Sequence, residues 1–304
     1  MASDLQKLVT SSFGINLAQV IGRILPPKLG YPFAKFLGEQ IARRHNLKMV
    51  QSVRANQWVV HGGNSGNEIL DPLVREAFRQ SARSIYDLYH FNNIPGAIER
   101  LMVLDATTRQ LIQRPEFEGP GLIIAGLHLS GFDLCLQWLV RLGMKPLVLT
   151  IPDPQGGRQM ELKLRKKSGM KIIPGSMTAI RQALKHLQQG GIVLTGIDRP
   201  IQNPISRPRF FGQLAALPTH HIFLALKARV PVMVMVPNLQ QDGKYHVLTS
   251  HLIEMETYPN REIETIQNAE KVLYTAEGFI RMAPEKWTET LPVWPDILNK
   301  LPSH

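Results

Sequence analysis

The chain has 304 residues, 44% of them hydrophobic, enough to bury one large core, and it carries a formal net charge of +11. Such a balance favours polyanionic surfaces, either nucleic acid or the anionic leaflet of a membrane. A single cysteine, Cys135, excludes a disulfide framework and a cysteine-based zinc site and suits a reducing compartment.

From the N-terminus, Leu5, Leu8, Val9, Phe13, Leu17, Val20, Ile21 and Ile24 recur at helical spacing, with Gln6, Lys7, Ser11, Arg23 and Lys28 elsewhere. Asp4 and Lys7 break up any signal-peptide core, and no run reaches the ~18–20 apolar residues of a spanning helix. Residues 31–38 are similarly mixed. Two readings fit: a helix lying on an anionic membrane surface, or a helix packed on its own domain. The expectation here is the first. Asn56-Gln-Trp58 and the Gly62–Gly66 stretch predict a helix end and a turn, and Glu68-Ile-Leu-Asp-Pro72 a helix start with proline in its first turn. Residues 1–115 are thus expected to form a helical N-terminal region with an amphipathic membrane-associating segment, packed on a catalytic domain of residues 116–304.

From Gly119 the pattern alternates. Strands are predicted at 121–126, 146–151, 171–174, 191–197, 230–236 and 245–249, and helices at 158–167, 178–189, 219–228 and 260–282. This predicts an α/β fold, a mainly parallel central sheet flanked by helices, with the last strand antiparallel to the one before it. No Gly-x-Ser-x-Gly elbow, Walker loop or Gly-x-Gly-x-x-Gly is present, which removes support for a serine hydrolase and for nucleotide binding. Zinc-finger, helix-turn-helix and basic-zipper patterns are absent too, so no nucleic-acid partner is expected. His220-His221 and the pair His246/His251 lack metal spacing and read as surface or partly buried histidines; no metal is expected.

The segment His128-Leu-Ser-Gly-Phe-Asp133 follows the glycine-bounded apolar run Gly121–Gly126 and precedes an apolar helix. His128 therefore stands at the carboxyl edge of a strand, where open α/β sheets place their ligands. A histidine there can take a proton from a hydroxyl near neutral pH, and a carboxylate can orient it. A rival reading makes Ser130 and Asp133 a capping-box pair with no chemical task. A second strand ends in Asp198-Arg199-Pro200, again at the carboxyl edge, and Arg207-Pro-Arg209-Phe-Phe211-Gly212 follows shortly after. Cys135 reads as a small core residue, not a nucleophile.

In these blocks the chain resembles the bacterial lipid A biosynthesis acyltransferases, the late lauroyl and myristoyl transferases, a family that includes the phosphatidylinositol mannoside acyltransferases. The resemblance runs from Arg54-Ala-Asn56 through His128–Asp133, Gly190-Gly191 to Asp198-Arg199, Phe210-Phe-Gly212 and Pro231 to Pro237, ending at Glu277–Arg281 and Pro284-Glu-Lys-Trp287. It implies that His128 is the catalytic base, Asp133 the acid of a His-x4-Asp motif and Asp198 a further acid. The basic stretch Lys163 to Lys167, with Arg165, falls where the family has arginine close to the site. The chain departs from lipid A members in lacking a spanning N-terminal helix and in its tail, which reads Thr288-Glu-Thr-Leu-Pro-Val-Trp294 where they carry an aromatic, basic sequence.

The expected function is an O-acyltransferase, peripheral on the cytoplasmic face of the inner membrane, moving a fatty acyl group from acyl-CoA or acyl carrier protein to a hydroxyl of a glycolipid or lysophospholipid. Catalytic candidates are His128, Asp133 and Asp198. Substrate-binding candidates are Ser130, Gly131, Phe132, Arg165, Arg199, Arg209 and Phe211, with the N–H groups around Gly131 and Phe132 or the side chains of Arg165 or Arg199 as oxyanion donors. Expected partners are an anionic membrane surface, the acyl donor and a lipid acceptor; no cofactor is expected beyond the acyl donor as co-substrate. A thioesterase using the same histidine on water, and a non-catalytic anionic-lipid-binding protein, remain as alternatives.

Overall fold

The computed structural model describes residues 11–113, 118–150, 165–166 and 169–302. Four helices open the described chain: α1 (Ser12–Ile24), α2 (Pro27–Ala42), α3 (Lys48–Val60) and α4 (Asn67–Phe91). The short α5 (Ala97–Leu101), β1 (Met102–Val103) and α6 (Ala106–Ile112) lead into the alternating part. There follow β2 (Leu122–Gly126), α7 (Phe132–Arg141), β3 (Leu147–Thr150), β4 (Lys171–Pro174), α8 (Met177–Gln188) and β5 (Ile192–Gly196). A small hairpin of β6 (Arg209–Phe210) and β7 (Gln213–Leu214), then α9 (His220–Ala228), β8 (Val232–Leu239), β9 (Tyr245–Thr249) and α10 (Arg261–Met282), complete it.

The central sheet has seven strands in the order β1-β9-β8-β2-β5-β3-β4, parallel throughout except for the β8/β9 pair. This is the expected α/β architecture. Every residue of β2 and of β8 is buried, because helices cover both faces. Alternation along the strands divides two cores. Ile123, Ala125, Val193, Val232 and Val234 join residues of α8, α9 and α10 on one face, whereas Leu122, Ile124, Leu194, Met233 and Met235 join Leu134, Trp138 and Leu139 of α7 on the other. The chain leaves β2 toward β3 and β5 toward β8, so it departs in opposite directions from two neighbouring strands. Such a switch point opens a crevice at the carboxyl edge.

The N-terminal helices pack in an unusual sense. Gly30, Ala34, Gly38 and Ala42, four residues apart on α2, are buried. A Cβ at Gly38 would stand 2.5 Å from the Phe78 carbonyl oxygen of α4, and one at Gly22 of α1 would stand 2.7 Å from Tyr89 Cβ. Small residues thus face inward and large apolar ones outward: Phe13 is 65% exposed and Ile24 73%, with Leu17, Val20, Leu29, Phe33, Phe36 and Leu37 also exposed. Among the described residues no helix is long and apolar enough to cross a membrane.

Several expectations shift. Asn56, Gln57 and Trp58 do not end a helix; they lie inside α3, which runs on to Val60, and the turn comes at Gly62 and Gly63, both at positive φ. Pro72 lies inside α4, which starts at Asn67. Leu5, Leu8 and Val9, and all of the predicted 158–167 helix except residues 165 and 166, fall outside the described residues. His221 is fully buried rather than at the surface. Burial pushes it down to about 3, with the charge of His220 adding to the effect, and burial alone pushes His220 down to about 4.

Candidate active site

Register brings the central pair together. β2 and β5 run parallel with Ala125 opposite Thr195 and Gly126 opposite Gly196, and the Ile197 N–H donates to the Gly126 carbonyl oxygen at 3.1 Å. His128 and Asp198 each lie two residues past the end of their strand, so in-register strands deliver them side by side. The Nδ1 of His128 is 2.6 Å from Asp198 Oδ1, and the backbone N–H of His128 donates to Asp198 Oδ2 at 2.8 Å. Trp287 Nε1 donates to the same Oδ2 at 2.8 Å. Asp198 is 0% exposed. Burial pushes its carboxyl up, but the attraction of His128, the hydrogen bonds from that residue's ring and N–H, and the bond from Trp287 together hold it below its ordinary range. A carboxylate at Nδ1 places the ring proton there and leaves the Nε2 lone pair to act on a substrate. The ring is 19% exposed. Gly196 makes room for it, since a Cβ there would stand 3.1 Å from His128 Cε1.

The C-terminal segment crosses this edge as a strap. Leu129 and Trp287 form an antiparallel bridge, Ser130 N–H donates to the Lys286 carbonyl at 2.8 Å, and Thr288 N–H donates to the His128 carbonyl at 3.1 Å. Helix α3 holds the strap in turn. Asn56 Nδ2 donates to the carbonyls of Glu289 and Leu291, each at 3.0 Å, and Asn56 Oδ1 accepts from Val293 N–H at 3.0 Å. Gln57 Nε2 donates to the Pro284 carbonyl at 2.6 Å. The strap delivers a second carboxylate: buried Glu289 places Oε2 3.6 Å from His128 Nδ1 and accepts Arg199 Nε at 2.8 Å. The parts played by Trp287 and Glu289 are not predicted by the residues around them. Trp287 was visible as the end of a recognisable block, while Glu289 had no local signal.

Asp133 does not reach His128. It lies in the first turn of α7, whose N-cap is Gly131 at φ +94 with no side-chain cap, so the capping-box reading fails as well. Its Oδ1 accepts Arg165 Nε at 2.7 Å and Nη2 at 2.5 Å. The Arg165 guanidinium lies 6.0 Å from the centroid of the Phe132 ring, which is itself 5.3 Å from the His128 ring, so this ion pair stands one aromatic ring away from the histidine. Glycine is required at 131 for conformation and space, because a Cβ would stand 2.4 Å from Tyr245 Cε1. The Phe132 N–H is taken by the Leu129 carbonyl at 3.0 Å, which removes it from the oxyanion donors considered. The Ser130 hydroxyl is buried and has no protein partner.

Two further candidates are more remote. Arg209 is exposed on β6, its N–H donating to Glu270 Oε1 at 2.8 Å and its Nη1 to the Gly212 carbonyl at 3.3 Å. The Phe211 ring stacks on Trp287 with centroids 6.3 Å apart, and its backbone N–H donates to Glu277. Phe211 thus backs the indole that holds Asp198. Cys135 is buried in α7, where burial pushes its thiol up to about 12, as a core residue would be. Leu134, beside it, is also fully buried.

A family model described as bacterial lipid A biosynthesis acyltransferase matches residues 3–294. No curated protein matches the chain.

Proposed function

The chain belongs to the bacterial lipid A biosynthesis acyltransferase family and is an acyltransferase, and from that premise we propose that it transfers a fatty acyl group from a thioester to a lipid hydroxyl, with His128 as general base and Asp198 as the acid that orients it. The short bond between His128 Nδ1 and the buried Asp198 carboxylate carries this reading. His128 Nε2 takes the proton of the acceptor hydroxyl as its oxygen attacks the thioester carbon. The tetrahedral oxyanion collapses, the C–S bond breaks, and the departing sulfur takes the proton from the imidazolium, which returns the histidine to its neutral form. No acyl-enzyme is required, because the thioester is already activated and positioning with proton removal suffices. The Gly131 N–H, the Ser130 hydroxyl and the Arg199 side chain are the oxyanion donors in this scheme. Asp133 holds Arg165 beside Phe132 as part of the substrate-binding wall. Arg209 and Phe211 act at a distance, the latter through Trp287.

The proposed donor is acyl-CoA or acyl carrier protein, and the proposed acceptor a glycolipid or lysophospholipid at the cytoplasmic face of the inner membrane. The outward apolar faces of α1 and α2, flanked by exposed Lys28, Lys35, Arg43 and Arg44, support a peripheral association with an anionic bilayer. The test is mass spectrometry of products formed from defined acyl-CoA and candidate lipid acceptors. Acylated lipid from the intact protein and none from His128→Ala is the expected result; free fatty acid alone from the intact protein would instead identify a hydrolase.

A further inference from the structure

The catalytic histidine faces more negative charge than a His–Asp pair supplies, and the additional carboxylate comes from the C-terminal strap. Glu289 Oε2 lies 3.6 Å from His128 Nδ1, on the same side of the ring as Asp198. Its other oxygen accepts Leu291 N–H at 2.8 Å, and Asn56 grips its backbone carbonyl, so the carboxylate cannot swing away without breaking the strap. Arg199 Nε meets it at 2.8 Å. Among the described residues, the other groups beside the imidazole are uncharged, paired or turned away. Phe132 covers it, the Asp133–Arg165 pair lies beyond that ring, and Lys286 Nζ is turned away onto Asn238 Oδ1 and the Leu239 carbonyl.

We propose that Glu289 is a positioning residue for the acyl transfer, a second counter-ion that makes His128 a stronger base and holds Arg199 at the site; this rests on the acyltransferase reading above. With the imidazole neutral, Asp198, Glu289 and Arg199 sum to one negative charge. Protonation of the ring brings the cluster to zero. Without Glu289 the same step would leave a positive charge in a largely buried pocket, which is costly. Charge on Glu289 therefore favours the imidazolium formed as the hydroxyl proton departs. Arg199 opposes it.

The two residues consequently predict shifts of opposite sign. Glu289→Gln removes the charge and keeps one oxygen, for either Leu291 N–H or Arg199 Nε, giving up the other of the two bonds. In the full-length protein, the NMR titration of the His128 ring, assigned by its loss in His128→Ala, should move to lower pH by roughly one unit in Glu289→Gln, a nearby charge being worth 1–3 units before partial cancellation. In Arg199→Gln it should move to higher pH. The acidic limb of kcat/KM for Glu289→Gln should follow its titration, with KM for the acceptor little changed. Unmoved titrations in both variants would overturn the proposal and reduce Glu289 to a strap residue. Should Glu289→Gln fail to fold, Arg199→Gln decides alone, a rise supporting the proposal and an unchanged midpoint overturning it. The titration reads the charge without turnover, so midpoints shifted in the variants, with no acyl transfer by the wild-type protein, would sink the acyltransferase mechanism and leave the electrostatic role of Glu289 standing.

Discussion

The His128 crevice and the α1–α2 surface break the ordinary rule of polar outside and apolar inside in opposite directions. At the crevice two carboxylates, Asp198 and Glu289, are buried, each with its oxygens met by designated donors. At the N-terminal helices Phe13 and Ile24 stand in the open while glycines and alanines occupy the packed side. A buried charge persists only where hydrogen bonds and a counter-charge replace water, and a broad exposed apolar face is a surface that something apolar can cover. Each inversion marks a place where local stability has been traded for another task. The first suits chemistry on a proton, the second suits attachment.

Separating the two tasks experimentally sharpens that contrast. The largest effect should come from the crevice. His128→Ala and Asp198→Asn should each lower kcat by ~10²–10⁴-fold, the usual worth of a positioned base, while vesicle binding stays at the wild-type level in flotation assays. Loss of vesicle binding in either would mean the two regions are not independent. A double change on the apolar face, Phe13→Asp with Ile24→Asp, should weaken partitioning onto anionic vesicles by at least roughly 100-fold, since burying each such side chain is worth about 1.5–3 kcal/mol. Turnover on detergent-dispersed substrate should be retained. Added salt should weaken the wild-type interaction as the screening length falls below ~10 Å.

Next comes Asp133→Asn, which leaves the His128–Asp198 pair intact and loosens Arg165. With Arg165 loosened from the substrate-binding wall, kcat/KM should fall roughly tenfold, and the lost charge-assisted bond, worth about 1.5 kcal/mol, should lower the melting temperature by only a few degrees. A fall as large as that of Asp198→Asn would return Asp133 to a direct role in orienting the base. The last test concerns stability alone, at two histidines outside both regions. His220 and His221 are pushed down to about 4 and 3, so the fold prefers them neutral. Their contribution is fully present above the unfolded value of ~6.5 and is lost as pH falls through the window toward 4, by up to about 1.4 kcal/mol per unit for each. Melting temperature should therefore fall between pH 6.5 and 4.5, and His221→Gln should flatten that slope without altering vesicle binding.

Much of this molecule was legible in its residues. Glycine-bounded apolar runs predicted β2 and β5, because a strand covered on both faces must be apolar throughout, and they located His128 and Asp198 at the carboxyl edge. The Gln-Asp-Gly turn before Lys244 marked the antiparallel β9. The outward face of α1 was visible as a helical stripe, but a stripe of that kind does not say which side packs. Gly22, Gly30 and Gly38 decided it, by allowing α1 and α2 to approach α4 more closely than any side chain on their other face would permit.

The partner of His128 was a different matter. A spacing of five residues made Asp133 the obvious acid, yet those five residues include the left-handed turn at Gly131 that starts α7 and directs Asp133 toward Arg165. Strand register selected Asp198, since parallel neighbours bring equal distances past their ends into contact whatever their separation in sequence. Glu289 depended on more still: a strap bridged to Leu129 and gripped by Asn56 and Gln57 of a helix more than two hundred residues away. Local sequence determines which segments form strands and helices because periodicity and turn chemistry act over a few residues. Which charges share one buried pocket depends on long-range packing, and only the tertiary structure decides it.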